Sequence, residues 1–269
     1  MTISCRTCAV EYAEPLPDVC PICADERQYV PATGQAWTTG EELRAAGTRI
    51  AVADHGGYWG LTAEPQVGIG QTAMLVPTPD GALLWDPPGY LDDASVAFAR
   101  EHGVRWIAAS HPHMFGAQLD WSAALGDATV LVNAADAGWL GRRGPAIEEW
   151  SGELRLADEL VLRQLGGHFP GSAVAHWAAG QGGAGVLFAG DTIAPNPDRR
   201  TVTFMRSFPN RLPLSAAVVE RIAARVADLR YDTIWHNFGG AVSGGADRAV
   251  QESAQRYAAW VRGDHDDLT

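Results

Sequence analysis

Lysine is absent from this chain, and all 20 cationic residues are arginine. That excludes a lysine Schiff base and the lysine of a phosphate-binding P-loop. Positive charge is scarce overall: 32 acidic residues leave a formal net charge of −12. Sequence-independent nucleic-acid binding needs basic surface to displace counterions, and a polybasic membrane contact needs the same, so neither is expected. No apolar run approaches the roughly 20 residues of a membrane-spanning helix. The start, Met1-Thr2-Ile3-Ser4-Cys5, lacks the cationic segment and apolar stretch of a secretory leader, so a cytoplasmic protein is expected. Cysteine is absent after Cys23. In a reducing compartment such clustering favours metal ligation over disulfides. What is present is globular: 46% hydrophobic against 19% charged residues can fill a sizeable core.

Residues 1–33 read as a separate four-cysteine metal-binding module. Cys5-Arg6-Thr7-Cys8 and Cys20-Pro21-Ile22-Cys23 are two CxxC knuckles separated by residues 9–19. Each knuckle converges two thiolates, and two knuckles complete a tetrahedral sulfur site. With few apolar residues of its own, the module is expected to draw most of its folding free energy from the metal. Sulfur spacing fits zinc or iron alike. Structural zinc is preferred because nothing else in the chain points to an electron-transfer partner. The pair resembles a zinc-ribbon or rubredoxin-like module.

Residues 34–269 alternate apolar runs with glycine-rich turns. Strands are expected near 48–53, 71–77 and 82–85, the last two flanking a Thr78-Pro79-Asp80-Gly81 hairpin turn. Leu91-Asp92-Asp93 caps a helix that stops at Gly103. A buried strand ends at His111, followed by a helix near 118–125 and a strand near 128–132. Further strands fall at 153–157, 159–165, 172–178, 184–189 and 231–235, and helices at 214–228 and 245–262. The Gly180–Gly185 stretch joins two strands, so it reads as a hairpin and not as a phosphate cradle. The mixture implies a layered α/β fold.

His111-Pro112-His113, Gly166-Gly167-His168, Gly190-Asp191-Thr192 and His236 each follow an apolar run. Strand ends along one sheet edge are where α/β folds collect functional groups. Imidazole is the commonest zinc ligand, and a catalytic zinc keeps one position open. His111, His113 and His168 would supply three nitrogens and Asp191 a carboxylate oxygen. His236 is a further candidate, although Trp235–Gly240 reads almost as well as a core-lining loop. Asp86, after Leu83-Leu84-Trp85, is a candidate to hold a ligand histidine through its other ring nitrogen.

The order strand-HxH, GGH, GDT and late histidine resembles the metallo-β-lactamase superfamily over about residues 45–240. The resemblance implies an αββα sandwich with the small N-terminal zinc-ribbon module attached. It also implies His111, His113 and His168 as the first metal site, Asp191 as a bridging carboxylate and His236 as a second-site ligand. The family pattern HxHxDH would place Asp at 115 and His at 116, where this chain has Phe115 and Gly116. Both missing groups belong to the second metal, so one catalytic zinc is expected. Asp191 and His236 are then the catalytic candidates for proton transfer and oxyanion stabilisation.

The expected protein is a zinc-dependent hydrolase. Zinc lowers the pKa of bound water to about 7 and supplies hydroxide for attack on an ester, thioester, lactone or lactam carbonyl. Two alternatives stay open: a rubredoxin-linked redox protein, and a catalytically degenerate member that binds a ligand or partner. A small-molecule substrate is the expected partner, with assembly into a homo-oligomer left open.

Overall fold

The computed structural model describes residues 2–269, which divide into two compact units, the first ending at Ser151 and the second spanning Gly152–Thr269. The first unit contains a seven-stranded mixed sheet. Its order is Ile147–Trp150, Thr129–Asn133, Val104–Ala108, Gly81–Trp85, Thr72–Thr78, Trp59–Glu64 and Arg49–Asp54. The strands from Arg49 to Trp85 form an antiparallel meander, and the expected hairpin turn pairs Thr78 with Gly81. From Gly81–Trp85 onwards the pairing is parallel. Parallel neighbours need crossovers. Asp93–Glu101 is one such helix, with Asp92 and Ser95 forming a reciprocal capping box at its start. Gln118–Ala124 is the next. Ile107, Leu84, Leu75 and Leu61 are fully buried in the core of this unit.

The four-cysteine segment forms a small antiparallel sheet in which Ile3–Cys5 lies between Glu11–Tyr12 and Trp37–Thr39. Its third strand therefore lies beyond residue 33. Val10, Tyr12 and Ile22 belong to the same buried cluster as Ile107 and Leu84. The segment shares an apolar core, so the metal is not its sole source of folding free energy.

The second unit contains a six-stranded sheet in the order Glu153–Ala157, Leu160–Gln164, Ala173–Trp177, Val186–Phe188, Thr233–Trp235 and Ala241–Ser243. Only Val186–Phe188 and Thr233–Trp235 pair in parallel, so Asp191 and His236 follow strands that end on the same edge. Gly180–Gly183 is a helical turn joining the antiparallel strands on either side, with Gln181 and Gly182 left-handed. Helices Ala216–Val226 and Ala246–Arg262 pack on the core of this unit through Val219, Ile222, Val250 and Ala254. Among the described residues, no helix is long and apolar enough to cross a membrane.

Candidate metal centres

Cys5, Cys8, Cys20 and Cys23 are all buried, and their sulfurs lie within 4.8 Å of one another. Each knuckle is closed by a backbone bond four residues long: Ala9 N–H donates to the Cys5 carbonyl at 2.8 Å and Ala24 N–H to that of Cys20 at 3.0 Å. The Cys5–Cys23 and Cys8–Cys20 sulfur pairs are each 3.7 Å apart. That is far beyond a disulfide bond of about 2.05 Å. It is close to the edge, about 3.8 Å, of a sulfur tetrahedron with bonds of about 2.3 Å. Hydrogen bonding from Cys20 and Cys23 pulls the Cys5 thiol down, and hydrogen bonding to Cys20 pushes Cys8 and Cys23 up. Only a bound cation lets all four ionise together. Gln35 ties the knuckles to each other, accepting from Cys20 N–H at 3.1 Å and donating to the Cys5 sulfur at 3.3 Å. The donor set fits a metal ion.

His111 and His113 leave the Val104–Ala108 strand on a short 3-10 turn, Pro112–Met114, with ring centroids 5.0 Å apart. Asp86 ends the neighbouring strand in a left-handed conformation, φ 57°. For a residue other than glycine this costs on the order of 1 kcal/mol or more. The bend puts its carboxylate under Ser110: Oδ1 accepts from Ser110 N–H at 2.6 Å and Oδ2 from the Ser110 hydroxyl at 3.1 Å. The same hydroxyl oxygen lies 2.9 Å from His111 Nδ1. A serine has one hydroxyl proton. Given to Asp86, it leaves the oxygen to accept from Nδ1–H, which leaves the lone pair of His111 on Nε2. Asp86 thus reaches the histidine through Ser110, a link that no motif advertises.

In the second unit His168 follows a loop that Gly167 makes possible. Gly167 has φ +93°, and a Cβ there would come within 2.6 Å of Ile222. His168 Nδ1 lies 3.2 Å from the Met205 carbonyl, so it carries the proton and Nε2 holds the lone pair. That Nε2 is 3.8 Å from Asp191 Oδ2, while His236 Nε2 donates to Asp191 Oδ1 at 3.0 Å. His168, Asp191 and His236 therefore come together around one carboxylate. Phe208 and Phe238 flank the His236 ring, with centroids 6.1 and 5.1 Å away.

His111 and His113 in the first unit, and His168 and Asp191 in the second, are buried, and each is a residue type that fits a metal cofactor. Where the HxHxDH pattern would add two more ligands, Phe115 packs with Met114 in the apolar core of the first unit. Gly116 has φ +53°, and a Cβ there would lie 2.2 Å from the Pro87 carbonyl oxygen. A histidine has no room at that position.

No family model matches the chain. Among solved structures, the DIM-1 metallo-β-lactamase superposes with a TM-score of 0.59 at 13% identity, over 79% of this chain and 98% of that one. FIM-1 from Pseudomonas aeruginosa, in its mono-zinc form, gives 0.53 at 19%, over 78% and 96%. Likeness at this identity shows the fold: the chain is a metallo-β-lactamase-fold protein with an N-terminal four-cysteine cluster. It is 40% identical to the uncharacterized protein YmaE of Bacillus subtilis (strain 168) across 94% of both chains. The chain belongs to the same family as YmaE.

Proposed function

We propose that the protein is a metal-dependent hydrolase with one catalytic zinc, held by His111, His113, His168 and Asp191, acting on a small carbonyl compound such as an ester, thioester, lactone or lactam. What supports this reading is the burial of three imidazoles and one carboxylate, each just past a strand, on a metallo-β-lactamase fold. The mono-zinc FIM-1 structure supports a single ion in this fold. When bound there, zinc would make water acidic enough to attack a carbonyl near neutral pH and would polarise that carbonyl.

The chain's own groups do the rest. Asp86 and Ser110 fix the tautomer of His111, and the Met205 carbonyl does the same for His168. His236, donating Nε2–H to Asp191, orients that carboxylate. Phe208 and Phe238 offer apolar surface beside His236, which suits an acyl or aryl portion of the substrate. The four-cysteine centre of residues 1–33 holds structural zinc on this reading. A redox role of the diiron kind would need carboxylate ligands after His113, where Phe115 is buried in the core instead.

His168→Ala tests the assignment. The variant is expected to bind one metal atom fewer per chain than the wild type, to keep the sulfur-bound metal, and to lose hydrolysis of activated esters and lactams. Wild-type metal content in that variant would sink the proposed ligand set. A wild type that binds the metal but turns over none of these substrates would leave a binding protein in place of an enzyme.

A further inference from the structure

One short strand of the first unit, Glu11–Tyr12, touches both the sulfur cluster and the end of the histidine loop. Tyr12 brings its hydroxyl within 3.1 Å of the Cys20 sulfur. Glu11 N–H donates to the Gly116 carbonyl at 3.0 Å, three residues past His113. The Glu11 carboxylate reaches further: Oε1 accepts from Leu119 N–H at 2.6 Å and Oε2 from Arg142 at 2.8 Å. Leu119 lies in the first turn of helix Gln118–Ala124, whose N-cap residue, Ala117, offers no side-chain acceptor. First-turn N–H groups need acceptors from outside the helix. Glu11 supplies one from 108 positions away in the chain.

The packing leaves this bridge little slack. Ala9 is left-handed, with φ 63°. A Cβ on Gly89 would come within 2.3 Å of Ala9 Cβ, and one on Gly68 within 2.5 Å. Gly141 is crowded in the same way by the Tyr12 ring, at 2.5 Å, and its carbonyl accepts from Ala13 N–H at 3.0 Å. The backbone from His113 to the helix is thus held both by Ala117 N–H donating to the Pro88 carbonyl at 3.2 Å and by Glu11. Any movement of the Glu11–Tyr12 strand must be transmitted to it, because close-packed interiors do not deform continuously.

We propose that the four-cysteine centre is a positioning device for the His111–His113 loop, with Glu11 as the residue that couples them. Filling the sulfur site fixes the Glu11–Tyr12 strand, and that strand fixes the loop presenting the two imidazoles. Emptied, the four sulfurs lose the cation that holds the knuckles together, and the Tyr12 hydroxyl loses a fixed Cys20 sulfur to bond. This inference rests on the reading of His111 and His113 as metal ligands. Glu11 is a positioning residue: its contacts are with Gly116, Leu119 and Arg142.

Cobalt(II) binding to the full-length chain tests the coupling. Thiolate ligation gives intense charge-transfer absorption, while imidazole and carboxylate ligation gives weak ligand-field bands, so the two sites are read separately. Glu11→Ala is expected to keep the thiolate bands and to lose about tenfold or more in cobalt affinity at the imidazole site. Backbone amides of residues 112–119 should exchange faster in the same variant. Glu11→Gln, whose amide oxygen still faces Leu119 N–H, should recover most of both. Cys8→Ser should weaken the imidazole site as Glu11→Ala does; should that variant fail to fold, Glu11→Ala decides alone, because its sulfur ligands are untouched. Wild-type imidazole-site affinity and amide exchange in Glu11→Ala, with thiolate bands intact, would overturn the coupling and leave the metal reading standing. Cobalt bound only at the cysteines in the wild type would remove the metal reading itself, and the coupling with it.

Discussion

A metal-binding histidine almost always commits its other ring nitrogen to a partner, and for His111, on the proposed ligand set, that partner is Ser110. Its hydroxyl proton goes to Asp86 and its lone pair to Nδ1–H. Ser110→Ala removes both bonds while leaving the Ser110 N–H to Asp86 contact in the backbone. Loss of a partner that orients a metal-binding imidazole costs about 10–100-fold in affinity. That loss is the expected outcome for zinc at the imidazole site, measured by competition with a chromogenic chelator, while the thiolate site keeps its affinity. Unchanged affinity would show that the ring is held by packing alone. The sequence pointed to Asp86 as a support for a ligand histidine but not to the intermediary. Asp86 and Ser110 are 24 positions apart, and only the parallel register of Gly81–Trp85 with Val104–Ala108 puts one under the other.

At the scale of elements, local chemistry was readable where one segment carries its own signal. The Thr78–Gly81 turn, the Asp92 cap and the apolar strand before His111 depend on neighbours within a few residues. The small sheet around the cysteines was not readable, because its strands are two or three residues long and one of them comes from Trp37–Thr39. Trp59–Glu64 carries no clear strand signal, because Gly60 and small residues interrupt its apolar pattern. Phe115 and Gly116 were legible as departures from HxHxDH, but their cause was not. Gly116 cannot carry a side chain, since its φ is +53° and the Pro87 carbonyl oxygen lies 2.2 Å from where a Cβ would be. Gly116→Ala should therefore destabilise the protein by about 2–4 kcal/mol, combining left-handed strain with a backbone clash. Chemical denaturation checks this, and an Ala variant as stable as the wild type would mean that the loop yields easily. Gly116→His should fare no better, and should not create a second metal site.

For the whole molecule, the deciding electrostatic question is which buried and half-buried charges the fold tolerates among its excess of acidic groups. Asp92 is eased into ionisation: burial opposes it, but the Ser95 and Ile50 N–H groups outweigh burial and hold its carboxyl below the usual range. Stability from Asp92 is thus present above about pH 4 and lost as pH falls further. Glu11 runs the other way. Burial pushes its carboxyl up to about 7, against the pull of Leu119 N–H and Arg142 and with the nearby Asp120 adding to the rise. Its pKa in the unfolded chain is about 4.3. Between these two values the unfolded chain has released a proton that the folded chain still holds. Stability therefore falls as pH rises from about 4.5 to 7 and levels off above that. Glu11→Gln has no such proton. The stability of wild type relative to Glu11→Gln should fall by about 2–3 kcal/mol between mildly acidic and mildly alkaline pH, measured by urea denaturation at fixed metal load. A difference independent of pH, or one that favours the wild type more as pH rises, would show that Arg142 and Leu119 hold Glu11 ionised throughout. The strand between the cysteines and the histidine loop would then be anchored by a permanent ion pair, and its grip on Gly116 would not vary across the neutral range.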